Sequence, residues 1–276
     1  MLNTWAPRFG VETTLVDGPD VEAWRDAVRP HTKAFFLESP ANPLLEIVDI
    51  AAICEIAREA GAKVVVDNVF ATPIFQSPLK LGADVVVYSA TKHIDGQGRV
   101  LGGALLGAAS LLDAAYKDPM RHTGPALSPF NAWLLLKGLE TLDLRVRRQS
   151  ETAATLADML AAHPKVRACR YPTRADHPQH DIAARQMSGG GSLLAFDLGS
   201  REAAFAFLNA LELIDISNNL GDAKSMATHP TTTTHRSMSE EQRLEIGLTP
   251  GWVRFSAGLE SVRDLARDID RALKAV

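Results

Sequence analysis

Cysteine is scarce: there are two in 276 residues, Cys54 and Cys169, far apart and outside any CxxC or Cys/His cluster with metal-ligand spacing. A disulfide framework and a structural zinc site are therefore excluded, and a reducing, cytoplasmic setting is expected. Charge of one sign is also lacking. Lysine and arginine (29) are scattered among 33 acids, for a net charge of −4, so no basic stripe is available to track a phosphate backbone and a nucleic-acid partner is not expected. No apolar run approaches the ~20 residues of a membrane span. The first residues, "MLNTWAPRFGVET", lack the basic and apolar regions of a signal peptide, so neither export nor membrane insertion is expected. Internal repeats and low-complexity tracts are absent too, apart from the locally biased "HPTTTTH" (His229 to His235). Tyrosine is rare, with only Tyr88, Tyr116 and Tyr171.

What is present is an ordinary globular composition, 46% hydrophobic and 22% charged, enough for a sizeable core in one large domain or two. In the first half, short apolar runs alternate with amphipathic segments. "KAFFLES" (33–39), "AKVVVDN" (62–68) and "DVVVYS" (84–89) read as strands, and "VLGGALLG" as a fourth. "VDIAAICEIAREAG" reads as a helix with Asp49 as N-cap and Gly61 just past its end, which places Cys54 as a small buried hydrophobe. This βαβ alternation predicts a mainly parallel sheet with helices on both faces and a crevice at the carboxyl ends of its strands. Residues 128–162 read as one long helical pattern, straight or kinked, bridging two domains. Beyond Pro164 come strand, helix, strand, helix, loop, strand "WVRFSAG" and a final helix, a smaller α+β unit. The boundaries expected are 1–147 for the larger domain and 148–276 for the C-terminal one.

Three strand ends carry polar residues: "LESPANP", "VVVDNVFATP" and "VYSATKH". Since carboxyl ends of parallel strands converge, Asn42, Asp67, Ser89, Thr91 and Lys92 become candidates for one site. Taken singly each has a plainer explanation: a turn between prolines for Asn42, a turn former for Asp67, a solvated ammonium for Lys92. Together they supply what pyridoxal 5′-phosphate needs: a lysine for a Schiff base, a carboxylate for the pyridinium nitrogen, and hydroxyl donors for a phosphate. Arg254, in a strand with apolar neighbours, has the planar fork that matches a carboxylate, with a surface arginine on an edge strand as the alternative.

Carrying those residues, the chain resembles the cystathionine γ-synthase family of fold-type I pyridoxal-phosphate enzymes of cysteine and methionine metabolism. The motifs carrying the resemblance are "ESPANP", "VVVDNVFATP", "YSATKHIDGQGRVLGG", "SNNLGDAKSMATHPTTTTH" and "VRFSAGLES", in that order. The resemblance implies Lys92 as the Schiff-base, catalytic lysine, Asp67 at the pyridine nitrogen, and Ser89 and Thr91 on the phosphate. It implies Asn42, Ser217 and Arg254 on the substrate carboxylate, and no metal. Within the family the "TKHIDGQGRVLGG" and "SNNLGDAKS" segments are similar to members that use sulfide as acceptor and O-succinylhomoserine as donor, making homocysteine for methionine biosynthesis. Members that handle cystathionine carry a Glu where this chain has Lys224.

The alternatives are a γ-synthase or γ-lyase acting on cysteine or cystathionine, and a non-catalytic remnant. The family pattern also has, ahead of the segment matched here, a phosphate-gripping helix start, a subunit-crossing Tyr-Ser-Arg stretch and a stacking tyrosine; none is found in these 276 residues. A homo-oligomer, a tetramer in the family, is expected. His93 is expected to pack or bond the strand-end backbone rather than act as a base. His229 and His235 flank a loop, with substrate gating as the sharper alternative.

Overall fold

The computed structural model describes residues 5–276, the side chains of Ala115 and Asp118 excepted. Chain order is α1 (Val21–Asp26), β1 (Ala34–Glu38), α2 (Ile50–Glu59), β2 (Lys63–Asp67), α3 (Thr72–Phe75), β3 (Val85–Ser89), β4 (Gly103–Gly107), α4 (Ala109–Thr123), α5 (Pro129–Glu140) and α6 (Leu142–Ala161). There follow β5 (Ala168–Arg170), α7 (His180–Gln186), β6 (Leu193–Asp197), α8 (Arg201–Asn209), β7 (Asp215–Ile216), β8 (Met226–Thr228), α9 (Glu240–Glu245), β9 (Trp252–Ser256) and α10 (Val262–Lys274).

The first sheet has the order β1-β2-β3-β4. The first three strands run parallel, and β4 returns antiparallel to β3. Alternation along the strands sends Phe35, Leu37, Val64 and Val66 to one face, where they meet Ile50, Ile53, Cys54 and Ala57 of α2. Helix α2 starts where Asp49 accepts the Ala52 N–H at 3.1 Å and ends before Gly61, whose φ of 65° is the left-handed turn a glycine accommodates. On the opposite face Phe36 is 51% exposed.

The second sheet has the order β5-β6-β9-β8-β7, and its core joins Leu194, Phe196, Val253 and Phe255 to Leu156 and Leu160 of α6, Phe207 of α8 and Leu265 and Ile269 of α10. The expected 147/148 boundary falls inside α6. Leu142 and Val146 at its start pack on Phe75, while Ala153 to Leu160 enter the second core.

The long helical pattern over 128–162 is broken into two helices, α5 and α6. The break comes at Thr141, which ends α5 and starts α6 with a φ of −114°. Its cause lies in the neighbourhood of the next residue but three: Arg145 Nε donates to Thr141 Oγ1 at 3.0 Å, and its guanidinium donates to Gly138 O at 2.8 Å. The side chain of a residue that sequence alone would leave on a solvated face thus occupies the hydrogen-bonding capacity of the turn where the helix bends. Gly138 is required there, because a Cβ would stand 2.1 Å from Ile94 O.

Candidate active site

The ends of β1, β2 and β3 are fixed from behind by a buried polar network. Asn68 Nδ2 donates to Tyr88 Oη at 2.8 Å and to Gln76 O at 3.0 Å. Gln76 Nε2 donates to Asn68 Oδ1 and Ser39 O, both at 2.7 Å. A fully satisfied network of this kind holds three strand termini in one geometry, because any slip would orphan buried donors. Tyr88 is consumed by it.

In front of that network stand the candidates. Asp67 ends β2 partly buried, its carboxylate accepting the Val69 N–H at 3.0 Å. Burial pushes its pKa up, against that hydrogen bond, and no lysine or arginine lies within ion-pair distance among the described residues. Lys92 lies in the turn after β3, where its backbone N–H donates to Ser89 O at 3.1 Å. Its Nζ donates to Asn219 Oδ1 at 2.5 Å. Burial, and secondarily Arg254, lower the Lys92 pKa, so loss of a proton from this ammonium is eased. Ser89 makes no side-chain hydrogen bond among the described residues.

Thr91 differs. Its Oγ1 accepts the Gly102 N–H at 3.0 Å and donates to Gly102 O at 3.3 Å, next to the Ser89–Gly103 pairing that opens β4. The hydroxyl expected to face a phosphate is engaged on its own hairpin.

Arg254 comes from the other sheet. It sits in β9 between fully buried neighbours and is 2% exposed. Its Nη1 donates to Asn42 Oδ1 at 2.8 Å and its Nη2 to Asn218 O at 2.9 Å. Burial lowers its pKa to about 10, against the pull of Glu38. No carboxylate pairs with it among the described residues, so a buried guanidinium faces a site without an anion. Asn42 and Arg254 are brought together, 212 positions apart in sequence.

Ser217 makes no hydrogen bond to either of them among the described residues, although Asn218, the next residue, does. The Ser217 hydroxyl accepts the Asn219 N–H at 3.2 Å within its own turn, and it is Asn219, two residues on, that reaches both Lys92 and, through its carbonyl at 3.4 Å, Arg254. Spacing in "SNNLGD" gave no means of choosing among three adjacent polar residues, and Asn219 was not expected. Glu38, the residue before the "SPANP" loop, was also not expected. It ends β1 beside Asp67, with its pKa pushed up to about 8 by burial first and by Asp67 second.

The loop carrying Asn219 is latched onto the Lys92 turn. Ala223 N–H donates to Gly96 O at 2.8 Å, Gln149 Nε2 to Asp222 O at 2.7 Å, and Glu260 accepts Ser225 N–H and Oγ–H at 2.7 and 2.8 Å. Gly221 passes so close that a Cβ would lie 2.8 Å from His93 N, at a φ of +71°. His93 is buried and bonded to Ser192 Oγ at 2.7 Å, and burial lowers its pKa to about 3: it is a packed neutral imidazole. His229 is also buried, bonded through Nε2 to Pro250 O at 2.7 Å. His235 lies beside the Asn42 backbone and Arg254, close to the site. Lys224 projects outward, 72% exposed, 3.7 Å from Asp215. Burial raises Cys54 to about 11 and Cys169 to about 12, which keeps both as inert thiols.

These residues fit pyridoxal 5′-phosphate on structural grounds: a carboxylate without a cation, an amine with a lowered pKa, a hydroxyl without a partner and a buried guanidinium without an anion lie where the strand ends of the first sheet adjoin β9 and the loop before β8. Comparison with known proteins agrees. The family described as Cys/Met metabolism PLP-dependent enzyme matches residues 1–274. The chain is 57% identical over 272 residues to an O-succinylhomoserine sulfhydrylase of Mycobacterium tuberculosis, covering 97% of this chain and 67% of that protein. It is 46% identical over 277 residues to an O-succinylhomoserine sulfhydrylase of Pseudomonas aeruginosa, covering 100% of this chain and 68% of that one. The crystal structure of a cystathionine γ-lyase from Micromonospora echinospora superposes with a TM-score of 0.94 at 40% identity, covering 98% of this chain and 71% of the other. The chain thus spans about two thirds of the length of its relatives.

Proposed function

The chain belongs to the Cys/Met metabolism PLP-dependent enzyme family, and from that premise we propose that it serves γ-replacement on O-succinylhomoserine with sulfide as acceptor, giving homocysteine for methionine biosynthesis. The observation that carries the choice of substrate is its 57% identity, over nearly all of its own length, to a protein named for that reaction. The choice of acceptor rests on the same likeness, since Lys224 projects outward, 72% exposed.

Pyridoxal phosphate, when bound, supplies an electron sink that acidifies the proton on the substrate's α-carbon and allows a γ-substituent to leave. The roles proposed for this chain's residues are those the family likeness implies, and their placement supports them. Lys92, with its lowered pKa, takes up and returns the α proton. Asn219 Oδ1 orients the amine while it waits. Asp67 holds a proton on the ring nitrogen through the one carboxylate at the end of β2. Ser89 donates to the phosphate, and Thr91 adds a second donor by giving up its longer bond to Gly102 O. Arg254 and the Asn42 amide grip the substrate carboxylate, which fixes the α C–H bond relative to the ring and so selects which bond is broken. Lysine, aspartate, serine, asparagine and arginine act as one unit here, so removing any of them is expected to cost far more than its share.

A cytoplasmic homo-oligomer, a tetramer by family likeness, is part of the same reading. The exposed apolar residues Phe130, Trp133, Leu136 and Leu144 on α5 and α6 support assembly. No helix among the described residues is long and apolar enough to cross a membrane.

The test of substrate choice is a pair of turnover assays on protein loaded with pyridoxal phosphate, with O-succinylhomoserine as donor and sulfide or cysteine as acceptor. Faster homocysteine formation from sulfide is the expected outcome. Faster cystathionine formation from cysteine would transfer the chain to the γ-synthase reading.

A further inference from the structure

Glu38 has no role in the scheme above, yet it occupies one of its most constrained positions. It is the last residue of β1 and the register partner of Asp67 at the end of β2. Adjacent strands lie about 4.8 Å apart and in-register residues project to the same face, so two carboxyl groups stand side by side at the floor of the site. No lysine, arginine or histidine forms an ion pair with either among the described residues. Arg254 acts on Glu38 without pairing with it, and both cations of the site are held by neutral groups: Lys92 by the Asn219 amide and Arg254 by the Asn42 amide and two backbone carbonyls.

We infer that Glu38 is a positioning residue that holds the single proton of a Glu38–Asp67 carboxylate pair, leaving Asp67 as the only negative charge on the sheet end and Arg254 uncompensated for a substrate carboxylate. The inference rests on the proposed function for what Asp67 and Arg254 do, though not for the existence of the pair. Two carboxylates sharing a partly desolvated site cannot both ionise near neutral pH, and the proton settles on the more deeply desolvated member, which is Glu38. Asp67 has the Val69 N–H at 3.0 Å. Glu38 feels burial and Asp67, which raise its pKa, against the Asn42 backbone N–H and a more distant Arg254, which lower it. The charged and titratable groups around the pair are thus Tyr88 on β3, which feels Asp67, Arg254 on β9, which acts on Glu38, and His235, which itself lies against Asn42 and Arg254. A neutral Glu38 competes for neither cation. An ionised one would stand as a counter-ion beside Arg254 and would weaken the hold on any incoming carboxylate.

The experiment has one arm without cofactor and one with it. Urea midpoints of the protein, of Glu38→Gln and of Asp67→Asn are measured from about pH 5 to about pH 9. Because the folded pKa of Glu38 lies above its unfolded value, its contribution is intact at low pH and is lost as pH rises through that window. Glu38→Gln, a neutral isostere, is therefore expected to gain on wild type as pH rises towards 8. That gain is expected to shrink when Asp67→Asn is also present. Parallel pH curves for wild type and Glu38→Gln would overturn the inference.

In the second arm, pyridoxal phosphate is titrated into each protein at about pH 7 and binding is read by absorbance. Glu38→Gln is expected to stay within about twofold of wild type, while Asp67→Asn weakens binding about tenfold or more, the loss of one charge-assisted contact. An equal loss in both variants would make Glu38 the anion and refute the assignment of the proton. Wild type that binds no pyridoxal phosphate would count against the proposed function alone, and the urea arm would still decide the pair.

Discussion

Truncating Arg145 to alanine probes how the Lys92 turn is held. The guanidinium is 7% exposed and donates to three carbonyls: His93 O at 2.8 Å, Gly138 O at 2.8 Å and Ile94 O at 3.3 Å. Its Nε adds Thr141 Oγ1 at 3.0 Å. Hydrogen bonds to a charged donor are worth about 1.5–3 kcal/mol each, and a carbonyl left buried without a donor forfeits a similar amount. The two short bonds dominate, and water entering the vacated space recovers part of the loss, so Arg145→Ala is expected to cost about 3–5 kcal/mol, the usual range for orphaning buried partners of a charge. Against a total stability of about 5–15 kcal/mol that is a large fraction. Urea denaturation at neutral pH measures it. Hydrogen exchange at the Asp95 and Gly96 amides, which bond to Ala90 O and Lys92 O, reports whether the turn itself loosens. Arg145→Lys keeps the charge but not the fork and is expected to recover only part of the loss. A cost below about 1 kcal/mol for the alanine variant, with unchanged exchange, would refute the claim that this side chain holds the turn.

Acid sensitivity follows from two buried imidazoles. Burial lowers His93 to about 3 and His177 to about 4, so both are neutral in the folded protein and bind protons only on unfolding. Their contribution is whole above the unfolded value of about 6.5 and is lost as pH falls towards 4, so His177→Gln is expected to flatten the stability curve between about pH 6 and about pH 4 relative to wild type. Gly221→Ala forces a side chain into a φ of +71° and to 2.8 Å from His93 N; it is expected to cost about 1–3 kcal/mol in thermal melts and to weaken pyridoxal phosphate binding through the displaced Asn219. Asp268 accepts the N–H groups of Glu212, Leu213 and Ile214 at 3.0 to 3.3 Å, so Asp268→Ala is expected to lower stability by about 2–4 kcal/mol with cofactor affinity unchanged.

The parts of the fold that sequence reveals are those where one local force dominates. β1, β2 and β3 are apolar runs and α2 has a cap at each end; each falls within a residue or two of its expected place. The two-residue β7 and three-residue β8 carry too little pattern to be seen, and they exist because β9 offers a paired edge. The position of the break, Thr141, was invisible for a related reason. Nothing in "LLLKGLETLDLRVRR" marks Arg145 as turning inward, since that depends on carbonyls of residues 93 and 94, about fifty positions away. In the site, Lys92, Asp67, Asn42 and Arg254 were legible because their chemistry is conspicuous at strand ends or in an apolar strand. Glu38 was hidden by its neighbours: a glutamate closing "AFFLE" looks like the polar end of a strand, and only its register with Asp67 makes it notable. The engagement of Thr91 on its own hairpin was hidden for the opposite reason, since a hydroxyl beside a lysine invites a ligand and draws attention from the nearby backbone.

The most direct measurement is the absorbance of purified protein after addition of pyridoxal phosphate, set beside that of Lys92→Ala. A band at about 420 nm from lysine-bound cofactor, present in wild type and absent from the variant, is the expected result. No band in wild type, or one that survives unchanged in Lys92→Ala, would contradict the assignment of Lys92 and with it the proposed site.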